Sequence, residues 1–187
     1  MDEEIKNACS ILYKGGLILY PTDTIWGIGC DATNEDAVRR VFELKQRADS
    51  KALIVLMDRP AKLGFYMEEV PEISWDLIEL SEKPLTIIYP KARNLASNLL
   101  AEDGSVGVRI TREDFSRHLC ERFHKAIVST SANISGQSSP RFFDEISPEI
   151  INGVDYVVNY RRNDTTPTQP SSIIKLGVGG QVQVIRP

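Results

Sequence analysis

The chain has 187 residues, 42% hydrophobic and 26% charged, with 22 Lys and Arg against 26 Asp and Glu for a formal net charge of −4. That balance is too apolar for a disordered chain and excludes a uniformly basic nucleic-acid binder, though not a local basic surface. The length suits one domain over residues 1–187, because cores usually divide only beyond roughly 250 residues, and no apolar run approaches the ~20 residues that a membrane span needs.

From Asp2 to Lys14, the apolar residues Ile5, Ala8, Cys9 and Leu12 recur at helical spacing, and Gly15-Gly16 supplies a stop. Leu17 to Tyr20 reads as a short strand broken by Pro21, and IWGIGCDAT continues extended, its two glycines letting the backbone run close to a neighbour. Asn34 caps a helix over Glu35 to Lys45 whose buried stripe is Ala37, Val38, Val41 and Leu44. ALIVLM at 52–57 is a buried strand, and 60–80 reads as two short helices. Strands follow at PLTIIYP, SVGVRI and AIVST, with a charged helix from Glu113 to His124 between the last two. The loop at 135–140 leads to a short helix around Asp144, and DYVVNY, SSIIKL and QVQVIR complete the strands. About eight strands irregularly alternated with four or five helices argue for one mixed α/β sheet rather than a strict doubly wound fold.

The N-terminus, MDEEIKNACS, carries acids where a secretory signal carries positive charge. Cys9, Cys30 and Cys120 form no close pair, which argues against a disulfide framework and for a reducing, cytoplasmic compartment. There is no CxxC unit for zinc, and His118 and His124 are six residues apart, off any shared helical face. No protein metal site is expected.

Four stretches place polar groups at the ends of apolar strands or beside them, where α/β proteins tend to build sites. In Tyr20-Pro21-Thr22-Asp23-Thr24, three short hydrogen-bonding side chains follow the strand break; taken alone, the plainer explanation is a self-bonded turn. Lys45 to Lys51 holds three cations, Lys45, Arg47 and Lys51, which suit phosphate or carboxylate; the competing explanation is a solvated helix C-terminus, where cations offset the dipole. Ser129-Thr130-Ser131-Ala132-Asn133 puts four polar side chains at the end of a buried strand, with no GxSxG around Ser131, so orienting a ligand is a better role than attack. Arg109 closes the strand SVGVRI and is a candidate carboxylate clamp. Neither a P-loop nor a GxGxxG fingerprint is present.

In order, YPTDT, LKQR, VRI and STSANISG resemble the YrdC-like family, the threonylcarbamoyl-AMP synthases of tRNA modification, over Gly15 to Arg186. The family's K-x-R and S-x-N signatures read here as Lys45, Arg47, Ser131 and Asn133. The resemblance implies an α/β fold with a twisted mixed parallel and antiparallel sheet, flanked by helices around a large, partly basic cavity. It further implies a nucleotidyltransferase that joins L-threonine, bicarbonate or CO2, and ATP into threonylcarbamoyl-AMP, releasing pyrophosphate. A partner transferase complex would then modify an adenosine beside the tRNA anticodon. By the same resemblance Thr24, Arg109, Ser129 and Ser171 contact threonine, and Lys45, Arg47 and Ser131 face the ATP phosphates while Asn133 orients the reacting groups. Lys51, Ser105, Ser139 and Arg186 fall where the family has further nucleotide contacts. Magnesium would arrive with ATP rather than in a protein cage. Such a reaction needs positioning and charge neutralisation, not a protein nucleophile.

Two departures stand out. Ala48 replaces a frequent Pro after the K-x-R arginine, and Ser81-Glu82-Lys83-Pro84 stands where many members have Trp-Pro-Gly-Pro. The runner-up is therefore a paralogue, or an RNA-binding module using Arg39, Arg40, Lys45, Arg47 and Lys51 as a basic face for tRNA or double-stranded RNA. A carbamoyl-phosphate-using domain, as in larger hydrogenase-maturation proteins, is a third class. Arg47→Ala and Ser131→Ala are each expected to abolish turnover while leaving the circular-dichroism melt unchanged; full activity in either would refute the phosphate-facing assignment.

Overall fold

The computed structural model describes residues 1–46, 53–168 and 170–187. Helix α1 (Asp2–Tyr13) buries Ile5, Ala8, Cys9 and Leu12, the four positions its spacing predicts. Helix α2 (Glu35–Lys45) begins at Asn34, whose side-chain oxygen accepts from the Ala37 amide at 3.1 Å. It ends where Gln46 turns left-handed at φ 50°. A 3-10 turn at Pro60–Lys62 leads into α3 (Leu63–Tyr66), and α4 (Ile73–Leu80) follows. Helix α5 (Asp114–Phe123) is capped by Glu113, whose carboxylate accepts from the Phe115 and Ser116 amides.

One expectation shifts. Around Asp144 there is only a 3-10 turn, Phe143–Glu145, and the true helix, α6, is Pro148–Gly153. Ser147 caps it with Pro148 in the first turn, a start signal that outweighs the acidic residues upstream.

The described strands are β1 (Ile18–Tyr20), β2 (Gly27–Gly29), β3 (Ile54–Met57), β4 (Leu85–Tyr89), β5 (Val106–Ile110), β6 (Ile127–Ser131), β7 (Tyr156–Val157), β8 (Ser172–Leu176) and β9 (Val182–Arg186). They form one nine-stranded sheet in the order β7-β1-β2-β6-β3-β5-β4-β8-β9. The pairs β1–β7, β3–β5 and β4–β8 are parallel and the rest antiparallel, so the sheet is mixed, as expected. Among the described residues no helix is long and apolar enough to cross a membrane.

The pleat sorts side chains by face. One face sends Ile28, Val55, Met57, Ile87, Tyr89, Val108 and Val128 into the larger core, closed by Val38, Val41 and Phe42 of α2. The other sends Ile18, Tyr20, Leu56 and Ile127 against α1 and against Phe115, Leu119 and Phe123 of α5. Beyond the cover of α1 and α5, register continues that second face with polar or small residues. Ile54 pairs with Ser129, Thr86 with Arg109 and with Ile173, and Gly27 with Ser131.

The two glycines of β2 have different duties on that face. A Cβ on Gly29 would stand 2.6 Å from a Tyr20 ring carbon and 2.9 Å from the Val128 carbonyl, whereas one on Gly27 would meet Ser129 Oγ at 3.4 Å. Gly29→Ala is expected to cost about 1–3 kcal/mol through overpacking, read as a lower melting temperature. Gly27→Ala should melt near wild type and weaken ligand binding instead.

Candidate functional site

The uncovered part of the second sheet face is the floor of an open cleft enclosing about 930 Å³, mouth included. Thr24, Arg109, Ser129, Ser131, Ser139, Ser171 and Arg186 all line it. Tertiary structure thus brings together seven of the residues singled out from the sequence. They come from the loop after β1, from β5 and β6, from the loop beyond β6 and from the β8–β9 edge. Ile54, Ile173 and Trp26 supply apolar wall between them.

Arg109 is the deepest cation in the cleft, its side chain only 4% exposed, and its Nε lies 3.0 Å from Asp23 Oδ1. Beside it, Thr86 Oγ1 and Ser171 Oγ are 2.8 Å apart. The Ser171 carbonyl accepts from Arg186 Nε and Nη2 at 2.8 and 2.6 Å, so the guanidinium of the edge strand is pinned over the cleft. On the opposite wall, Thr22 Oγ1 accepts from the Thr24 amide at 3.1 Å and donates to the Ile25 carbonyl at 2.7 Å. The self-bonded turn is therefore real, and it is the device that presents Thr24 to the cleft. Thr86 was missed in the sequence; its only signal is a threonine among the aliphatic residues of PLTIIYP.

Lys45 and Asn133 take other places. Lys45 is buried, and its ammonium donates to the carbonyls of Ser131 and Asn133 at 2.5 and 2.6 Å. Its own carbonyl accepts from the Ser135 amide at 2.8 Å. The side chain is neither a solvated helix terminus nor among the residues lining the cleft; it braces the end of β6 at Ser131 and the loop that follows. Asn133 Nδ2 donates to the Ile134 and Gln137 carbonyls at 3.0 and 2.7 Å, ordering the same loop from within. Ser105 is also away from the lining, buried just ahead of β5 with its amide on Asp103 Oδ1 at 3.0 Å. Arg47 and Lys51 lie outside the described residues.

Of the five cations weighed as a basic face for RNA, three lie among the described residues. Arg39 pairs with Asp36 at 2.8 Å, Arg40 bonds both carboxylate oxygens of Asp155, and Lys45 is buried. The altered segment Ser81 to Pro84 borders not the cleft but a neighbouring cavity of about 640 Å³ walled by Ile78, Leu85, Ile87 and Val108.

Nucleophilic protein chemistry has little to work with here. All three thiols are buried, and burial pushes each of them up, Cys9 to about 11. Both histidines belong to the α5 region, His118 on the Asp114 carbonyl and His124 at the helix end. Among the described residues no group of three or more His, Cys, Asp or Glu could hold a metal ion. What the cleft offers is hydroxyls and guanidinium groups on rigid strands, which bind and orient anions.

A family model described as telomere recombination, covering the Sua5, YciO and YrdC proteins, matches residues 10–187. The chain belongs to the Sua5/YciO/YrdC family. Family members named threonylcarbamoyl-AMP synthase include one from Pseudoalteromonas translucida, 33% identical over 181 residues and 95% of each chain. Another, from Pseudomonas aeruginosa, is 35% identical over 189 residues, 96% of this chain and 95% of the relative. Among solved family structures, P. abyssi Sua5 complexed with L-threonine is similar at TM-score 0.81 and 27% identity, over 92% of this chain and 50% of that one. E. coli YciO shares the fold at TM-score 0.85 and 23% identity, over 100% and 89%. The chain therefore spans about half the P. abyssi protein and nearly all of the two synthase relatives.

Lys45→Met is expected to lower stability by about 1–3 kcal/mol, because two carbonyls lose a buried donor. Thermal melting checks this: a wild-type melt with lost activity would return Lys45 to a purely catalytic role.

Proposed function

We propose that this chain makes L-threonylcarbamoyl-AMP and pyrophosphate from L-threonine, bicarbonate or CO2, and ATP. The observation that carries the reading is the single cleft floor on which Arg109, Thr24, Ser129 and Ser171 stand beside Ser131, Ser139 and Arg186. The first four suit a small hydroxy amino acid with a carboxylate, the last three a polyphosphate.

The chemistry follows from those groups. Arg109 holds the threonine carboxylate as a planar fork, while hydroxyls from Thr24 and Ser129 accept and donate around its amine and hydroxyl. The amine nitrogen bonds the carbon of CO2 and gives up a proton, forming a carbamate; from bicarbonate the same bond forms as a carbon–oxygen bond breaks, and the proton leaves with that oxygen as water. A carbamate oxygen then attacks the α-phosphorus of ATP, and the bond to the β-phosphate oxygen breaks, so pyrophosphate leaves. Nothing in these steps requires a covalent enzyme intermediate, which accords with a cleft lined by hydroxyls and without thiolate or imidazole. Catalysis is placement of two unstable partners and offset of phosphate charge, by Arg186 and by Arg47. Magnesium would arrive bound to ATP, as it usually does, and would add to the offset of phosphate charge.

The product is a reactive mixed anhydride, so a cytoplasmic transferase complex acting on tRNA is its natural consumer. Ser131 Oγ and the guanidinium of Arg186 are assigned to the phosphates, and Arg109 to threonine. Incubation with ATP, magnesium, bicarbonate and L-threonine should give threonine-dependent pyrophosphate release, with threonylcarbamoyl-AMP seen by mass. Release without threonine would point to another acceptor. A folded, ATP-binding protein with no release would replace this reading by the non-synthase paralogue.

A further inference from the structure

Asp23 has no place in the reaction just described, yet it is a nearly buried carboxylate paired with the cation of the cleft. It is 11% exposed, and its Oδ1 stands 3.0 Å from Arg109 Nε. The contact is close but off the hydrogen-bonding direction, for neither atom finds an aligned partner elsewhere among the described residues. Asp23 does not line the cleft. It borders the apolar cavity behind it, while Arg109 lines the cleft itself. Consecutive residues therefore do opposite things: Thr24 faces the cleft, and Asp23 reaches the back edge of Arg109. The Thr22 hydroxyl bracket holds the loop in the shape that makes this possible.

We infer that Asp23 is a positioning residue for Arg109, holding the guanidinium by its Nε edge so that the two Nη groups present an end-on fork to the carboxylate of the amino-acid substrate. The inference deepens the synthase reading and rests on it. Its physical basis is the geometry of the guanidinium. An arginine buried on a strand has several ways to turn, and a carboxylate at Nε selects one of them without occupying the pair of donors that best matches a second carboxylate. A neutral partner would leave the cation free to swing toward Thr86 and Ser171, whose hydroxyls share its pleat.

Burial pushes the Asp23 carboxyl upward, Arg109 pulls it down and Glu113 pushes it up again, with a net upward shift. An acid raised on folding contributes stability that is present at low pH and lost as pH rises through its folded value.

The test uses the full chain in threonine-dependent pyrophosphate release. Asp23→Asn should raise KM for threonine about tenfold, a coupling typical of groups in direct contact. KM for ATP should stay within about twofold. In an Arg109→Ala background the same substitution should add almost nothing. An unchanged threonine KM, or effects that add in the double variant, would overturn the inference. Should Asp23→Asn melt lower, Asp23→Glu decides: recovery of threonine KM supports positioning by charge, and no recovery refutes it. A wild-type protein without threonine-dependent release would sink the synthase reading and this inference together, whereas an active wild type with a normal Asp23→Asn sinks the inference alone.

Discussion

A guanidinium buried on an interior strand sets the terms for the rest of this molecule. Removing a cation from water costs several kcal/mol unless charge and hydrogen bonds are returned to it. Arg109 is therefore tolerable on β5 only because Asp23 meets it from one side and a hydroxyl-lined cleft opens on the other. Had α1 and α5 reached one strand further across the sheet, the same position would have demanded an apolar residue. The boundary between the second core and the cleft is thus drawn by helix placement. Arg109 marks it, with Leu56 of the core beside it on β3 and Thr86 beside it on β4.

The pleat makes this division economical. Strands that cross the boundary still bury apolar residues on the first face, Val55 and Met57 of β3, Ile87 and Tyr89 of β4, Val108 of β5 and Val128 of β6, so the larger core runs on behind the site. Most of the functional groups stand on the second face, Ser129 and Ser131 on β6, Arg109 on β5 and Thr86 on β4, and Thr130 of β6 also borders the cleft. Side chains on paired strands are held by ladders that also stabilise the fold, which is the preorganisation that charge-offset catalysis relies on. The more adaptable groups come from loops, and those loops are stapled: Thr22 brackets the β1 loop, and Lys45 with Asn133 brackets the loop beyond β6.

Lys45 illustrates how a signature residue can serve a site without lying in it. At the end of α2, its stem passes through protein and its ammonium meets two carbonyls, so a charge is satisfied by backbone dipoles. The consequence is a fixed path for Ser131 and a rigid link between α2 and the cleft wall. Arg186 acts in a related way from the sheet edge, bonded to the Ser171 carbonyl, and joins the last strand to the cleft floor.

Much of this was legible in the sequence. Helical spacing located α1, Asn34 and Glu35 located the start of α2, and the apolar runs located every strand, because caps and periodicity are short-range physics carried by neighbouring residues. Four motifs in order also marked the family and most of the cleft. The sequence alone thus determined the elements, their mixed character and the identity of Arg109, Ser129 and Ser131 as site candidates. Only the tertiary structure decided that Thr86 belongs with them, that Lys45 braces the end of β6 rather than standing in solvent, that Ser105 stands apart, and that Asp23 and Thr24 part to opposite sides of one guanidinium. Those outcomes depend on strand order and register, which join residues 85 to 86 positions apart in the chain, and no local pattern encodes a contact made at that separation.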